Sequence, residues 1–65
     1  MNIRITLLEN EKLQDLGHLY IKNHLLPCVG DKIYFQTAQQ YNVIERHFNK
    51  SIYDVDLYVE KTTTS

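Results

Sequence analysis

Three residues with metal-binding side chains fall close together near the middle of the chain: His24, Cys28 and Asp31, with His18 and His47 further away. Zinc accepts imidazole nitrogen, thiolate sulfur and carboxylate oxygen, so the ligand types are suitable. Structural zinc sites usually present two close Cys/His pairs, and this chain has a single cysteine. The spacing therefore favours no metal site and no cofactor.

The same residues could form a thiol nucleophile, with Cys28 activated by His24 or His47. Such a catalyst also needs a pocket that excludes water, and pockets of a few hundred Å³ are hard to build in a chain of 65 residues. We expect no enzymatic activity. Free cysteine is most often a small buried hydrophobe, and this is the prediction for Cys28, with His18 and His24 at exposed strand positions.

An acidic row is the third pattern. In the segment 53–60, Tyr53, Val55, Leu57 and Val59 alternate with Asp54, Asp56, Tyr58 and Glu60. Period-two alternation predicts a strand with an inward apolar row and an outward acidic row. Acidic residues beside exposed tyrosines are how SH3-type barrels hold extended basic or proline-rich peptides. The predicted protein-binding residues are Tyr20, Tyr34, Asp54, Asp56 and Tyr58.

A basic set offers an alternative function. If strands one to four pair in a curled sheet, the outer face contains Arg4, Lys22 and Lys32 together with Tyr20 and Tyr34. Charge with stacking aromatics is the recipe for binding single-stranded nucleic acid. The residues for this alternative are Arg4, Lys22, Lys32 and Arg46. The formal net charge of −1 argues against it, because phosphate contacts dominate nucleic-acid affinity.

The secondary-structure elements that carry these residues are predicted to be mostly strands. Alternation predicts strands over 2–9, 16–23, 32–36, 41–48 and 53–60, with a loop at 10–15 and a turn at 49–51. A short helix over 11–20 is the alternative for the second segment. Both faces of the fourth strand are mixed, which suggests a bulge. Pro27 and the turn-forming pair Gly30-Asp31 mark a corner before the third strand.

These elements predict an all-β fold: a small five-stranded, partly open, SH3-like barrel over residues 1–60, followed by a frayed tail at 61–65. Curling reduces the number of exposed strand edges. A hydrophobic content of 43% suffices for one compact core. One cysteine excludes an internal disulfide, and no apolar run approaches the ~20 residues that span a bilayer. We expect a cytoplasmic protein that does not engage a membrane.

Several positions carry a resemblance to a group of proteins. They are Leu26, Pro27, Val29, Gly30, Asp31, Ile33 and Phe35, then Tyr41, Val43, Arg46 and Phe48, then Val55, Leu57, Val59 and Glu60. The pattern resembles small, mostly uncharacterised bacterial and phage proteins built as SH3-like β-barrels. The resemblance implies the fold and transfers no catalytic residue.

The predicted function is a non-enzymatic protein-interaction module, phage- or mobile-element-encoded, that binds a host protein. The alternative is a small barrel that binds single-stranded nucleic acid. A homo-oligomer formed through exposed strand edges is compatible with both.

Overall fold

A single five-stranded sheet makes up the protein in a computed structural model, which describes residues 1–36, 38–49 and 52–62. The strands are β1 (Asn2–Glu9), β2 (Lys12–Tyr20), β3 (Lys32–Tyr34), β4 (Gln40–Phe48) and β5 (Val55–Lys61). Their order across the sheet is β2-β1-β5-β4-β3. The sheet curls through 192° into a half-barrel, so the predicted all-β class and partly open five-stranded barrel are confirmed.

The first two strands form a tighter hairpin than the sequence suggested. Asn10 and Glu11 alone connect them, with φ of 53° and 63°. Two central residues with positive φ are typical of a type I′ turn, whose twist matches that of the flanking strands. The predicted loop at 10–15 and the alternative helix over 11–20 are therefore wrong, and the second strand begins four residues earlier than predicted.

A bulge bends β2 at its middle. Ile5 pairs with Gly17 and Thr6 pairs with Asp15, so Leu16 is an extra residue on the β2 side. Gly17 has φ of 131°, which side chains rarely tolerate. The bulge increases the local twist, and it helps the sheet to curl.

The core lies on the concave face and centres on β1 and β5. These two strands pair in parallel, from Ile3 opposite Val55 to Leu7 opposite Val59. The predicted apolar face of β1 is confirmed, because Ile3, Ile5 and Leu7 are each at most 2% exposed. Tyr41, Val43, Val55, Leu57 and Val59 complete the buried cluster.

The bulge predicted in the fourth strand is also confirmed. Val43 pairs with Val59 and Glu45 with Tyr58, leaving Ile44 unpaired in the ladder. Beyond this point Arg46 and Phe48 are the residues of β4 on the concave side, opposite Leu57 and Val55, although Phe48 is 55% exposed. The mixed character of both faces in the sequence follows from this one-residue shift.

The segment 21–31 carries the chain from one sheet edge to the other. It contains a short 3₁₀ turn, Asn23–Leu25, and then Pro27. The predicted turn is present: Gly30 has φ of 97°, and Asp31 accepts a 2.7 Å hydrogen bond from the Cys28 N–H. Cys28 itself is exposed, so its predicted burial is wrong. Because its backbone belongs to a surface turn, its side chain cannot reach the core.

The end of the chain is more ordered than predicted. Lys61 belongs to β5 and forms a 3.0 Å ion pair with Glu9. The Thr62 N–H donates to the Gln40 carbonyl at 3.0 Å. The prediction of a frayed tail is therefore wrong for residues 61 and 62. Positions 63–65 and residues 50 and 51 of the predicted turn lie outside the described residues.

Candidate functional site

The acidic row predicted to face solvent is largely buried. Asp56 is 0% exposed and Tyr58 is 8% exposed, so the prediction that they form a binding surface with Asp54 is wrong for both. The cause is topological. The last strand in sequence was treated as having a solvated outer face, but β5 lies at the centre of the sheet. Side chains from β1 and β4 cover it from both sides.

Both carboxylate oxygens of Asp56 accept hydrogen bonds from neighbouring side chains. Arg4 donates to its Oδ2 from Nε at 3.1 Å and from Nη2 at 2.5 Å, and the Thr6 hydroxyl donates to Oδ1 at 2.8 Å. The hydrogen bond to Asp56 raises the pKa of the Arg4 guanidinium above its ordinary value. A buried carboxylate needs such partners to offset desolvation. This arrangement stabilises the fold and leaves neither oxygen free for acid–base chemistry.

The ion pair belongs to a row that crosses four strands on the convex face. We call His18, Arg4, Asp56 and His47 the outer polar row, because the register places them opposite one another in that order. Tyr53 extends it, with its ring 5.2 Å from the Arg4 guanidinium and 5.6 Å from the His18 ring.

The outer polar row keeps its two histidines apart. His47 stacks on Tyr58 with ring centroids 4.3 Å apart and lies 3.0 Å from a Glu45 carboxylate oxygen. His18 is at the far end, beyond Arg4 and Asp56. Within residues 1–36, 38–49 and 52–62, no group of three or more His, Cys, Asp or Glu side chains could hold a metal ion.

The basic residues of the nucleic-acid alternative are divided between the two faces. Arg4 is on the convex face, whereas Arg46 pairs with Leu57 on the concave face. Arg46 lies 3.9 Å from the Cys28 sulfur and 5.4 Å from the centre of the Phe48 ring. Arg46 therefore does not share the outer face with Arg4.

The remaining two basic residues, Lys22 and Lys32, are exposed near opposite edges of the sheet. Tyr20 and Tyr34 are exposed as predicted, at 75% and 65%, but they lie on β2 and β3. Asp54 is exposed and accepts a 2.8 Å hydrogen bond from the Asn2 N–H. The five predicted protein-binding residues therefore do not form one surface.

An apolar cavity on the concave side was not predicted. It has a volume of about 130 Å³ and opens to solvent. Side chains from the sheet and from the segment 21–31 surround it. The lining residues are Ile3, Ile5, Leu19, Ile21, Leu25, Pro27, Ile33, Tyr34, Phe35 and Leu57. We call it the concave cavity. Leu25, 60% exposed, and Tyr34 reach solvent at its margin.

Phe35 spans the open side of the half-barrel next to this cavity. A Cβ built on Gly17 of β2 would lie 3.3 Å from the Phe35 ring, so this ring packs directly on the glycine. The two sheet edges therefore approach each other through the Phe35 side chain, with Gln36 Nε2 also 3.7 Å from the position of that Cβ. The concave cavity adjoins this contact, and its apolar lining can receive an apolar group but offers no pair of groups for catalysis.

The signals for this cavity in the sequence were weak. Leu25, Leu26 and Pro27 form an apolar run inside a connection, where polar residues are more usual. That run could have indicated a connection that covers part of the core. Its partners Leu19 and Ile33 read as ordinary core residues.

Comparison of the chain with protein-family models, with curated proteins and with solved structures found no match. The resemblance to small bacterial and phage barrels therefore stays a prediction. Among the residues that the structure describes, no helix is long and apolar enough to cross a membrane.

Proposed function

We propose that this protein is a non-enzymatic protein-interaction module that receives an apolar side chain of its partner in the concave cavity. The observation that carries this proposal is the cavity itself: an open, apolar-lined space of about 130 Å³ at the surface of a very small domain. Leu25 and Tyr34, both exposed, surround its entrance.

The size of the cavity favours a side chain over a metabolite. Sites for small-molecule substrates and cofactors usually measure about 300–1,000 Å³. A dry cavity of about 150 Å³ holds one benzene molecule. The concave cavity therefore matches a single leucine or phenylalanine side chain. Apolar and aromatic anchors in such pockets dominate the energetics of many protein interfaces.

The nucleic-acid alternative has less support. Arg4 is engaged by Asp56, and Arg46 lies on the other face of the sheet. A single strand of nucleic acid needs a continuous cationic groove with stacking aromatics. Arg4 and Arg46 therefore do not contribute to one such groove. A cytoplasmic location and a phage or mobile-element origin remain predictions from the sequence.

Titration with toluene, an analogue of the phenylalanine side chain, tests the proposal. In NMR spectra of the full chain we expect saturable shifts for the methyl groups of Ile3, Leu19 and Ile33. Leu25→Asp places a carboxylate at the entrance, and we expect it to weaken this binding about tenfold. Leu13→Asp is the matched control, because Leu13 is 56% exposed at the hairpin end and does not line the cavity.

Absence of saturable shifts in the lining residues would contradict the proposal. So would an equal loss of binding in the two aspartate variants, since only one of them changes the entrance. Binding of single-stranded oligonucleotides at low salt, lost on addition of salt, would favour the alternative function.

A further inference from the structure

The side chain of Phe35 closes the open side of the half-barrel by packing on Gly17. We infer that this contact is a latch: the Phe35 ring releases to solvent while the rest of the sheet stays folded. We call the packing of the ring on Gly17 the latch contact. The inference concerns the chain alone and does not depend on the proposed function.

No backbone ladder joins the two edges that the latch contact connects. β2 and β3 are at opposite ends of the strand order. In these two fully described strands, no Cα atom of β2 lies within 8 Å of a Cα atom of β3. Neighbouring strands of a ladder are about 4.8 Å apart, so the gap is too wide for backbone hydrogen bonds. Side chains alone span it, and the latch contact can open without breaking a ladder of the sheet.

The ring occupies a place that only glycine leaves free. A Cβ built on Gly17 would lie 3.3 Å from Cε2 and 3.4 Å from Cζ of Phe35. Carbon atoms in ordinary contact are about 3.5–4.0 Å apart. Gly17 also has φ of 131°, a conformation that other residues rarely adopt. Two features of β2, the missing Cβ and the bent backbone, therefore fit the position of the ring.

The other side of the ring is packed less closely. Phe35 lines the concave cavity, a space of about 130 Å³ that opens to solvent. Atoms that face an empty space lose the dispersion contacts that a close-packed core supplies. Phe35 is half-buried, whereas Ile5 and Leu57, which line the same cavity, are at most 1% exposed. The Phe35 ring is therefore held more weakly than the core beside it.

The backbone that carries the ring is also weakly held. Phe35 and Gln36 come directly after Tyr34, the last residue of β3. Neither forms a backbone hydrogen bond with another described residue. Gln36 has φ of 63°, a left-handed conformation that is unfavourable for its side chain. Such strain persists only where the surrounding structure maintains it, so release of the ring would relieve it.

The strain in Gln36 opposes the latch contact, and this keeps the latched and released states close in free energy. Release leaves the parallel pairing of β1 with β5 intact, and with it the buried residues Ile3, Val55 and Val59. It removes Phe35 from the lining of the concave cavity. The latch therefore controls the size of this cavity.

NMR of the phenylalanine rings tests the inference without a ligand. The chain has two phenylalanines, so ring-labelled [13C]phenylalanine gives two sets of signals, and Phe48→Leu assigns them. The methyl groups of Val59, 0% exposed in β5, report on the core. A latch is distinguished from a permanent core residue because its ring becomes exposed while Val59 stays buried.

Two glycine variants change the latch contact selectively. Gly17→Ala places a methyl group against the ring, and we expect the ratio of released to latched molecules to rise about thirtyfold. The Phe35 signals should then move toward those of an exposed phenylalanine, with the Val59 signals unchanged. Gly30→Ala is the matched control, because Gly30 also has a positive φ but its Cβ would meet no atom within 4 Å. It should leave the Phe35 signals in place.

Phe35→Ala removes the latch altogether. We expect this variant to keep the amides in the pairing of β1 with β5 protected from hydrogen exchange, with dispersed Val59 methyl signals. Ile5→Ala is the control, since it shortens a fully buried side chain at the same cavity. It should lower protection throughout the sheet.

Three results would overturn the inference. In Gly17→Ala, the Phe35 signals could stay in place, or they could change together with those of Val59, which would make the ring part of one cooperative core. Equal effects of Gly17→Ala and Gly30→Ala would assign the change to backbone strain alone. Unfolding of Phe35→Ala would show that the ring cannot leave a folded sheet. None of these results bears on toluene binding, so the proposed function is tested separately.

Discussion

The outer polar row and the concave cavity lie on opposite faces of the same sheet. They differ in whether their side chains are already covered and bonded by other residues of the protein. On the convex face, both oxygens of Asp56 are bonded and the carboxylate is 0% exposed. On the concave face, the apolar cavity opens to solvent beside the edge strand β3. The ion pair of the convex face is buried and fully bonded, whereas the apolar cavity of the concave face is open.

This difference shows that residue type alone is a poor indicator of a binding site. Arg4 and Asp56 were predicted binding residues and His18 and His47 candidate metal ligands. In the structure Arg4 and Asp56 bond to each other, and the two histidines lie apart. Removing one partner of a buried, hydrogen-bonded ion pair is strongly destabilising, because the other charge is left without compensation. Apolar residues at a cavity entrance, by contrast, can be changed with little effect on the fold.

The largest expected effect concerns the buried ion pair between Arg4 and Asp56 on the convex face. Asp56→Ala leaves Arg4 half-buried without its carboxylate, and we expect a loss of about 3 kcal/mol in the free energy of unfolding. A domain of this size has little more than that, so the variant should be largely unfolded in urea titrations followed by circular dichroism. Glu60→Ala, an exposed position on the same strand, is the control. Similar stabilities for the two variants would break the comparison.

The contact across the open side can be tested at glycine positions. Gly17→Ala adds a Cβ where φ is 131° and the Phe35 ring is 3.3 Å away, so we expect a loss of about 2 kcal/mol. Gly30→Ala meets strain at φ of 97° but has no atom within 4 Å. Thermal unfolding should therefore show the larger decrease for Gly17→Ala. The reverse order would mean that Phe35 does not bridge the edges.

A smaller effect is expected from the second partner of Asp56, the Thr6 hydroxyl. Thr6→Val removes the hydroxyl that donates to Oδ1 and keeps the shape, so we expect a loss of about 1.5 kcal/mol. Thr6→Ser keeps the hydroxyl and should remain closer to the wild-type stability. If the valine variant is as stable as the serine variant, the carboxylate does not depend on this bond.

The smallest expected effect is at the hairpin, outside both regions. Glu11 has φ of 63°, and glycine is preferred at this position of a type I′ turn. Glu11→Gly should therefore raise the free energy of unfolding by roughly 0.5–1 kcal/mol, measured in urea. Asn10→Gly should gain less, because asparagine tolerates this conformation. Neither variant should change toluene binding.

Much of the fold could be predicted from local patterns. The alternation in β1, the bulge in β4 and the turn at Gly30-Asp31 each depend on a few neighbouring residues. The hairpin was misplaced because Asn10-Glu11 lacks the glycine that usually marks a two-residue turn. The start of β2 is also polar, and polar residues with one glycine are compatible with a loop, a helix or an edge strand.

The site was predicted less well, because its assignment depended on strand order. Alternation in the segment 53–60 correctly predicted that Val55, Leu57 and Val59 are buried. It was wrong for Tyr53, which lies beside Arg4 and His18 on the convex face. It could not show that the other face would also be covered. A strand at an edge and a strand at the centre of a sheet can have the same alternation, and only their neighbours differ.

The amino-acid order by itself determined that this chain forms short strands with one apolar face and turns at defined residues, since those preferences are local steric and hydrophobic effects. Tertiary structure alone decided which residues became neighbours. The parallel pairing of β1 with β5 placed Arg4 beside Asp56 on the convex face, where Asp56 is buried. The curl of the sheet left a cavity beside the edge strand β3. Contacts between residues some fifty positions apart leave no trace in a local pattern.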